Sequence, residues 1–112
     1  MAYFNGKKIL NAKVEIVGGS GGTTYVSHID LLASEWSGEN GRYAQVVNIP
    51  AATPNSKVDL NPTVEQLDIF QTKDLTFVTE NDDGVITVYC IGQKPTSDYT
   101  MQITITEVIA NV

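Results

Sequence analysis

The chain has 112 residues, of which 42% are hydrophobic and 18% are charged, a composition typical of one globular domain with a real core. Seven Lys and Arg residues against 13 Asp and Glu residues give a net charge of −6, which excludes the basic footprint that nucleic-acid binding needs. The single cysteine, Cys90, excludes an intrachain disulfide, and no apolar run approaches the roughly 18 residues of a membrane helix. The amino-terminal residues lack the basic and apolar regions of a signal peptide, so we expect no export by the secretory route.

Residues 1–16 predict a small β-hairpin. Residues 2–4 and 7–16 flank the dipeptide Asn5-Gly6, which tolerates the positive φ angles of a two-residue turn. An isolated two-stranded ribbon is only marginally stable in water. We therefore expect this segment to lie on its own domain or on a partner, as an N-terminal attachment arm.

Residues 17–24 contain four closely spaced glycines, Gly18, Gly19, Gly21 and Gly22. A phosphate-binding loop would need the spacing G-x-x-x-x-G-K-[ST] between a strand and a helix. No lysine follows these glycines, and the next residues favour a strand. The composition is that of a Gly/Ser linker, so we predict a hinge between the arm and a domain at residues 25–112.

The domain is predicted to consist mainly of strands. The clearest is at residues 100–106, where Met101, Ile103 and Ile105 share one face and threonines share the other. Further strands are predicted at residues 43–49 and 57–61, and as a hairpin at residues 75–80 and 85–91 with a turn at residues 81–84. In residues 43–49 the alternation is imperfect, because Gln45 falls on the face of Tyr43, Val47 and Ile49.

One helix is predicted within this β-rich region. Val64, Leu67 and Phe70 recur at three-residue spacing, which indicates a short amphipathic helix over residues 64–71 whose apolar stripe covers the sheet. Either Asn61 caps it ahead of Pro62, or Thr63 caps it and Gln66 closes a capping box. The fold class is thus mainly β: an antiparallel β-sandwich or partly closed barrel with one short helix.

The polar residues favour structure over catalysis. His28 and Asp30 share one strand face, but a surface histidine is the better interpretation. Cys90 has apolar neighbours, which indicates a buried, inert thiol. The acidic stretch at residues 80–83 lacks the spacing of a calcium loop, so we expect a solvated hairpin tip. Glu35 and Glu39 are weak candidates for sugar hydrolysis. We predict no enzyme, no metal and no cofactor.

Aromatic residues offer a second kind of site. Trp36, Tyr43, Tyr89 and Tyr99 are candidates for carbohydrate stacking, although aromatic residues of a small β-domain more often fill its core. Trp36 precedes a polar run and is the one we expect to be exposed. Trp36 and Tyr43 are therefore the candidate glycan contacts.

Several stretches together resemble a small β-rich domain of tailed-bacteriophage structural proteins, over about residues 29–107. They are LLASEWSG at residues 31–38, YAQVV at 43–47, VEQL at 64–67, FVTENDDGVITVY at 77–89, GQKPTSD at 92–98 and MQITI at 101–105. In that family the domain sits in head-fibre, capsid-accessory, tail-fibre and baseplate proteins, often behind a short attachment segment. The resemblance implies a virion component assembled in the host cytoplasm.

We expect a capsid decoration or head-fibre protein that docks on the major capsid protein through residues 1–16. The expected contacts are Tyr3, Phe4, Lys7, Lys8, Ile9 and Leu10. A homo-oligomer, with a trimer favoured, would strengthen such docking by avidity. The alternative is a tail-fibre or baseplate accessory that binds host surface glycans. Nucleic acid and membrane are not expected partners.

Overall fold

The computed structural model describes residues 22–108. The predicted attachment arm at residues 1–16 lies outside the described residues, as does the predicted linker up to Gly21. The described elements are, in order, β1 (Gly22–Leu31), a 3-10 turn (Ala33–Glu35), β2 (Ser37–Glu39), β3 (Arg42–Val47), β4 (Ser56–Asn61), α1 (Val64–Lys73), β5 (Leu75–Asp82), β6 (Val85–Gly92) and β7 (Tyr99–Val108).

The strands form two antiparallel sheets. One sheet has the order β1-β7-β4, and the other has the order β2-β3-β6-β5. No ladder joins the two sheets into a closed barrel within residues 22–108. Of the two predicted architectures, the β-sandwich is therefore the one confirmed.

The domain begins earlier than predicted. Gly22, Thr23 and Thr24, assigned to the linker on composition, belong to β1 and pair with Val108, Glu107 and Thr106 of β7. These three residues therefore belong to the sheet and not to the predicted linker. Backbone pairing with β7, far along the chain, extends β1 through Thr24 and Thr23, which favour a strand as β-branched residues, to Gly22.

The core lies between the inner faces of the two sheets. Strand β7 faces inward with Met101, Ile103 and Ile105, each at most 1% exposed, as their alternation predicted. The other buried apolar side chains are Ile29, Leu31, Trp36, Val47, Val58, Phe70, Leu75, Ile86, Val88 and Cys90. The described core is thus made entirely by residues 29–105.

A buried side-chain amide joins the two sheets along one seam. The Gln45 side chain accepts a hydrogen bond from the Leu32 N–H at 3.2 Å and donates one to the Leu32 carbonyl at 3.1 Å. Because both halves of the amide are satisfied, Gln45 occupies the apolar face of β3 while only 6% exposed. This pairing explains the imperfect alternation of residues 43–49.

The opposite seam is also joined by side chains. Asn81 of β5 donates to the Thr53 and Ser56 carbonyls at 2.9 and 2.8 Å. The Thr79 hydroxyl donates to the Val58 carbonyl at 2.7 Å. These bonds tie the edge strand β4 to the neighbouring sheet.

The β5–β6 hairpin is tighter than predicted. Asn81 and Asp82 remain in the ladder opposite Ile86 and Val85, so the turn contains two residues, Asp83 and Gly84. Their φ angles of 56° and 92° are those of a type I′ turn, whose twist matches that of the flanking strands. The Gly84 N–H also donates to the Asn81 side chain at 2.7 Å, which anchors the turn.

The helix α1 is capped by Thr63, which decides between the two predicted caps. The Thr63 hydroxyl accepts from the Gln66 N–H, and the Gln66 side chain accepts from the Thr63 N–H, completing a capping box. The predicted apolar stripe is wrong in part. Phe70 is 4% exposed, whereas Val64 is 76% and Leu67 is 52% exposed. The helix meets the sandwich through Phe70 and leaves the amino-terminal part of its stripe in solvent.

Candidate interaction surfaces

The predicted stacking residue Trp36 is buried, which corrects the expectation that it would be exposed. Its side chain is 5% exposed and its ring centroid lies 5.9 Å from that of Phe77. Trp36 ends the 3-10 turn just before β2, and this position directs the indole into the core. A buried ring presents no face to a sugar, so Trp36 cannot serve as a stacking platform.

Tyr43 is half-buried on the inner face of its sheet. It lies opposite Cys90 in the β3–β6 register and packs against the core. Phe70, Phe77 and Tyr99 form the remaining aromatic cluster, with ring centroids 4.8 to 6.3 Å apart. The two predicted glycan contacts, Trp36 and Tyr43, thus belong to the interior of the sandwich.

The His28–Asp30 pair is exposed on the outer face of β1, as the surface interpretation predicted. The Asp30 carboxylate accepts a hydrogen bond from the Thr100 hydroxyl of β7 at 2.7 Å. Among the described residues, this hydroxyl is the hydrogen-bond partner of the Asp30 carboxylate. Its carboxylate therefore serves as a cross-strand contact within the three-stranded sheet.

Cys90 is fully buried, in agreement with the prediction of an inert thiol. Burial raises its pKa to about 11, with a further contribution from the negative charge of Asp74. The thiol donates weakly to the Gln93 carbonyl at 3.4 Å. A neutral, buried thiol is a poor nucleophile near neutral pH.

The acidic hairpin tip lies in solvent. Asp82 and Asp83 are both exposed. Glu80 alternates in β5 with Thr79 and Asn81, which face inward, and therefore lies on the outer face of the strand. Within residues 22–108, no three His, Cys, Asp or Glu side chains converge as a metal site would require. The described ion pair, Lys57 with Asp59 at 2.8 Å, is exposed and adds little stability.

The outer face of the four-stranded sheet is apolar at its centre. Ala44, Tyr89 and Val78 lie side by side across β3, β6 and β5. Around this row, Val46 is 65%, Val78 46%, Val85 51% and Ile91 40% exposed. Large side chains left in water at adjacent positions mark an interaction surface. We call Ala44, Val46, Val78, Val85, Tyr89 and Ile91 the outer apolar face.

Opposite charges lie at diagonal corners of the outer apolar face. Arg42 is beside Ile91 and sits 6.0 Å from the centroid of the Tyr89 ring. Glu80 is beside Thr87 at the far end of β5. Neither Arg42 nor Glu80 forms an ion pair with another described residue.

A second apolar surface is the groove between α1 and the sandwich. It encloses about 590 Å³, and its walls include Leu60, Pro62, Leu67, Phe70, Phe77 and Met101. Leu67 and Phe70 both line this groove, but Leu67 is half-exposed and Phe70 is buried. The helix α1 is therefore only partly covered by the sandwich.

Sequence reasoning missed the outer apolar face. The signal was present in residues 85–91, where apolar side chains occupy both alternating positions and only Thr87 interrupts them. A strand that is apolar on both faces is typical of one covered on both faces.

Comparison of this chain with protein families, curated proteins and solved structures gives no match. Among residues 22–108, the helices are too short and too polar to cross a membrane.

Proposed function

We propose that this chain is a non-enzymatic structural protein of a bacteriophage virion. Its specific role is that of a capsid decoration or head-fibre protein docked on the major capsid protein through residues 1–16. The resemblance of residues 29–107 to the phage structural domain motivates the proposal, and the β-sandwich of the described residues is compatible with it.

One structural observation supports the proposal: residues 22–108 contain a buried core between the two sheets. Within these described residues, thirteen apolar side chains are buried. The arm adds the aromatic and aliphatic residues Tyr3, Phe4, Ile9 and Leu10. Apolar side chains gain about 1.5–3 kcal/mol each when they are buried, so they favour a partner surface.

The outer apolar face supports a homo-oligomer, and we propose a trimer. Around a three-fold axis, the β3 side of one face would meet the β5 side of the next copy. Arg42 of one copy would then approach Glu80 of its neighbour, and the apolar centre would be removed from water. Three arms on one particle surface would bind more tightly than one by avidity.

Retention on purified heads tests the docking role. Heads that lack the protein, prepared from the phage that encodes it, are mixed with the full chain and sedimented. The double variant Tyr3→Ser, Phe4→Ser is expected to be retained at least about tenfold less well, since two lost aromatic contacts exceed the 1.4 kcal/mol of a tenfold change. Deletion of residues 1–16 is expected to abolish retention.

The matched control for this test is Val64→Ser with Leu67→Ser, which replaces two exposed apolar side chains of α1. This control is expected to be retained like the full chain. Undiminished retention of the deletion variant would refute docking through the arm. Sedimentation with purified tails instead of heads would support the alternative location in a tail fibre or baseplate.

A further inference from the structure

The groove between α1 and the sandwich, which we call the α1 groove, is large enough to hold a small molecule. Its volume of about 590 Å³ falls within the range of about 300–1,000 Å³ that is usual for ligand pockets. Its walls are apolar apart from Gln71 and Thr76. A groove with this lining favours a hydrocarbon group, because it would leave most polar groups without a hydrogen-bond partner.

The floor of the α1 groove is preformed. Phe70, Leu75 and Met101 are 4%, 6% and 1% exposed, so their positions are set by the core. The Phe70 and Phe77 rings pack edge to face with their centroids 4.8 Å apart. Leu67, on the helix side, is 52% exposed. An apolar molecule in the groove would therefore meet a fixed floor and remove Leu67 from water.

A second, smaller cavity of about 260 Å³ continues the α1 groove at the carboxyl end of the helix. The two cavities share Leu75, the first residue of β5. The remaining walls are Lys73, in the last turn of α1, and residues 93–96, which follow β6. The Gln93 N–H donates to the Asp74 carbonyl at 2.9 Å, which holds this loop against the end of the helix.

The second cavity is lined by two positive charges, Lys73 and Lys94. Of the seven Lys and Arg residues of the chain, four lie in the part that the structure describes, and two of these four line this cavity. Neither lysine forms an ion pair with another described residue, whereas Lys57 does. Asp74 lies between Lys73 and Leu75 in the chain but lines neither cavity. On a chain of net charge −6, two such neighbouring cations mark a place for an anion.

We propose that the α1 groove binds a small amphipathic anion, a free carboxylate with a hydrocarbon chain, such as a medium-chain fatty acid. The chain lies on the floor formed by Phe70, Phe77 and Met101, and the carboxylate lies between Lys73 and Lys94. Charge complementarity selects this class, because an uncharged hydrocarbon would leave the two lysines without a partner. Burial of the chain provides most of the affinity, and the exposed ion pairs set the orientation.

The inference goes beyond the proposed virion role and does not depend on it. The proposed trimer uses the outer apolar face, whereas the α1 groove opens on the other side of the same sheet. Phe77 of the groove and Val78 of the outer apolar face are neighbours in β5, so their side chains lie on opposite faces. A ligand in the groove is therefore compatible with the trimer.

Isothermal titration calorimetry of the full chain near neutral pH tests the ligand class with three probes, each below its micelle concentration. Decanoate is expected to bind saturably. Acetate has the carboxylate without the chain and should bind at least about tenfold more weakly, because it buries no methylene groups. Decyltrimethylammonium has the chain with the opposite charge and should bind at least about threefold more weakly. Absence of saturable decanoate binding, or equal binding of either other probe, would overturn the proposal.

Matched variants test the location. Leu67→Glu places a charge in the wall of the α1 groove and should weaken decanoate binding at least about tenfold. Val64→Glu, on the same helix but outside the groove, should leave the affinity unchanged. Lys73→Glu and Lys94→Glu should each weaken decanoate binding at least about threefold, and Lys57→Glu, on β4, is their control.

Equal effects of the groove variants and their controls would overturn the placement of the ligand. The lysine variants change exposed residues, so they provide the answer even if Leu67→Glu does not fold, which circular dichroism would show. Sedimentation equilibrium adds one further outcome. Dissociation of an oligomer by Leu67→Glu, but not by Val64→Glu, would assign the groove to a second copy of the chain and would overturn the proposal.

Discussion

At the scale of single residues, contacts with neighbours on other elements decided which side chains are buried. Gln45 is a polar residue on an apolar face, and burial is tolerated because the Leu32 backbone satisfies both ends of its amide. Trp36 precedes a polar run, yet its ring packs against Phe77. In both cases the deciding neighbour is distant in sequence or lies on another element.

Replacement of Gln45 tests its role at the seam. Gln45→Leu keeps a similar volume but removes the side-chain partner of the Leu32 N–H, whereas the Leu32 carbonyl still accepts from the Glu35 N–H at 3.0 Å. We therefore expect the free energy of unfolding to fall by about 1 kcal/mol. Chemical denaturation measures this loss. Gln102→Leu, on the solvated face of β7, is the control and should change stability by less than about 0.5 kcal/mol. Equal effects of the two substitutions would contradict the proposed role of the amide.

At the scale of elements, local pattern determined where α1 begins, and packing determined how much of it is buried. The capping box at Thr63 and Gln66 is local, since both residues belong to one turn. Burial of the stripe depends on where the sandwich surface ends. The Phe70 ring lies 4.8 Å from Phe77 and 5.1 Å from Tyr99, centroid to centroid, whereas Leu67 stands at the rim of the groove.

Alanine substitutions in α1 should therefore differ widely. Phe70→Ala removes a buried ring from an aromatic cluster and should lower the free energy of unfolding by about 3–5 kcal/mol. Leu67→Ala, at a half-exposed position one turn earlier, should cost less than about 1 kcal/mol. Thermal or denaturant unfolding gives both values. Similar losses at the two positions would mean that the whole stripe is buried in solution.

At the scale of the whole molecule, the outer apolar face and the free edge of β1 are surfaces that the described residues leave uncovered. The outer face belongs to one sheet and the free edge to the other. The two surfaces therefore do not overlap.

The proposed trimer predicts a mass of three 12.2 kDa chains in sedimentation equilibrium. Val46→Asp with Val78→Asp places two charges at the centre of the proposed interface and should yield monomers that keep their fold, as seen by circular dichroism. Val26→Asp with Val108→Asp alters two valines of similar exposure, 64% and 51%, on the other sheet and should leave the mass unchanged. A wild-type chain that sediments as a monomer would exclude the trimer.

The amino-acid sequence alone determined the features that depend on near neighbours. Alternation placed Met101, Ile103 and Ile105 in the core, and turn-forming residues located the β5–β6 hairpin. The spacing of Thr63 and Gln66 predicted the observed capping box as one of two possible helix caps. These features are encoded locally because a strand face, a turn and a cap each require only residues a few positions apart.

Tertiary structure decided everything that depends on contact between distant segments. Pairing with β7 drew Gly22–Thr24 into β1, packing between sheets buried Trp36, and the extent of the sandwich left Val64 and Leu67 in solvent. The same holds for the uncovered surfaces, since a face or an edge is exposed only relative to the strands beside it. Burial is a property of the assembled sheets, and no local pattern specifies which of two apolar faces the rest of the chain will cover.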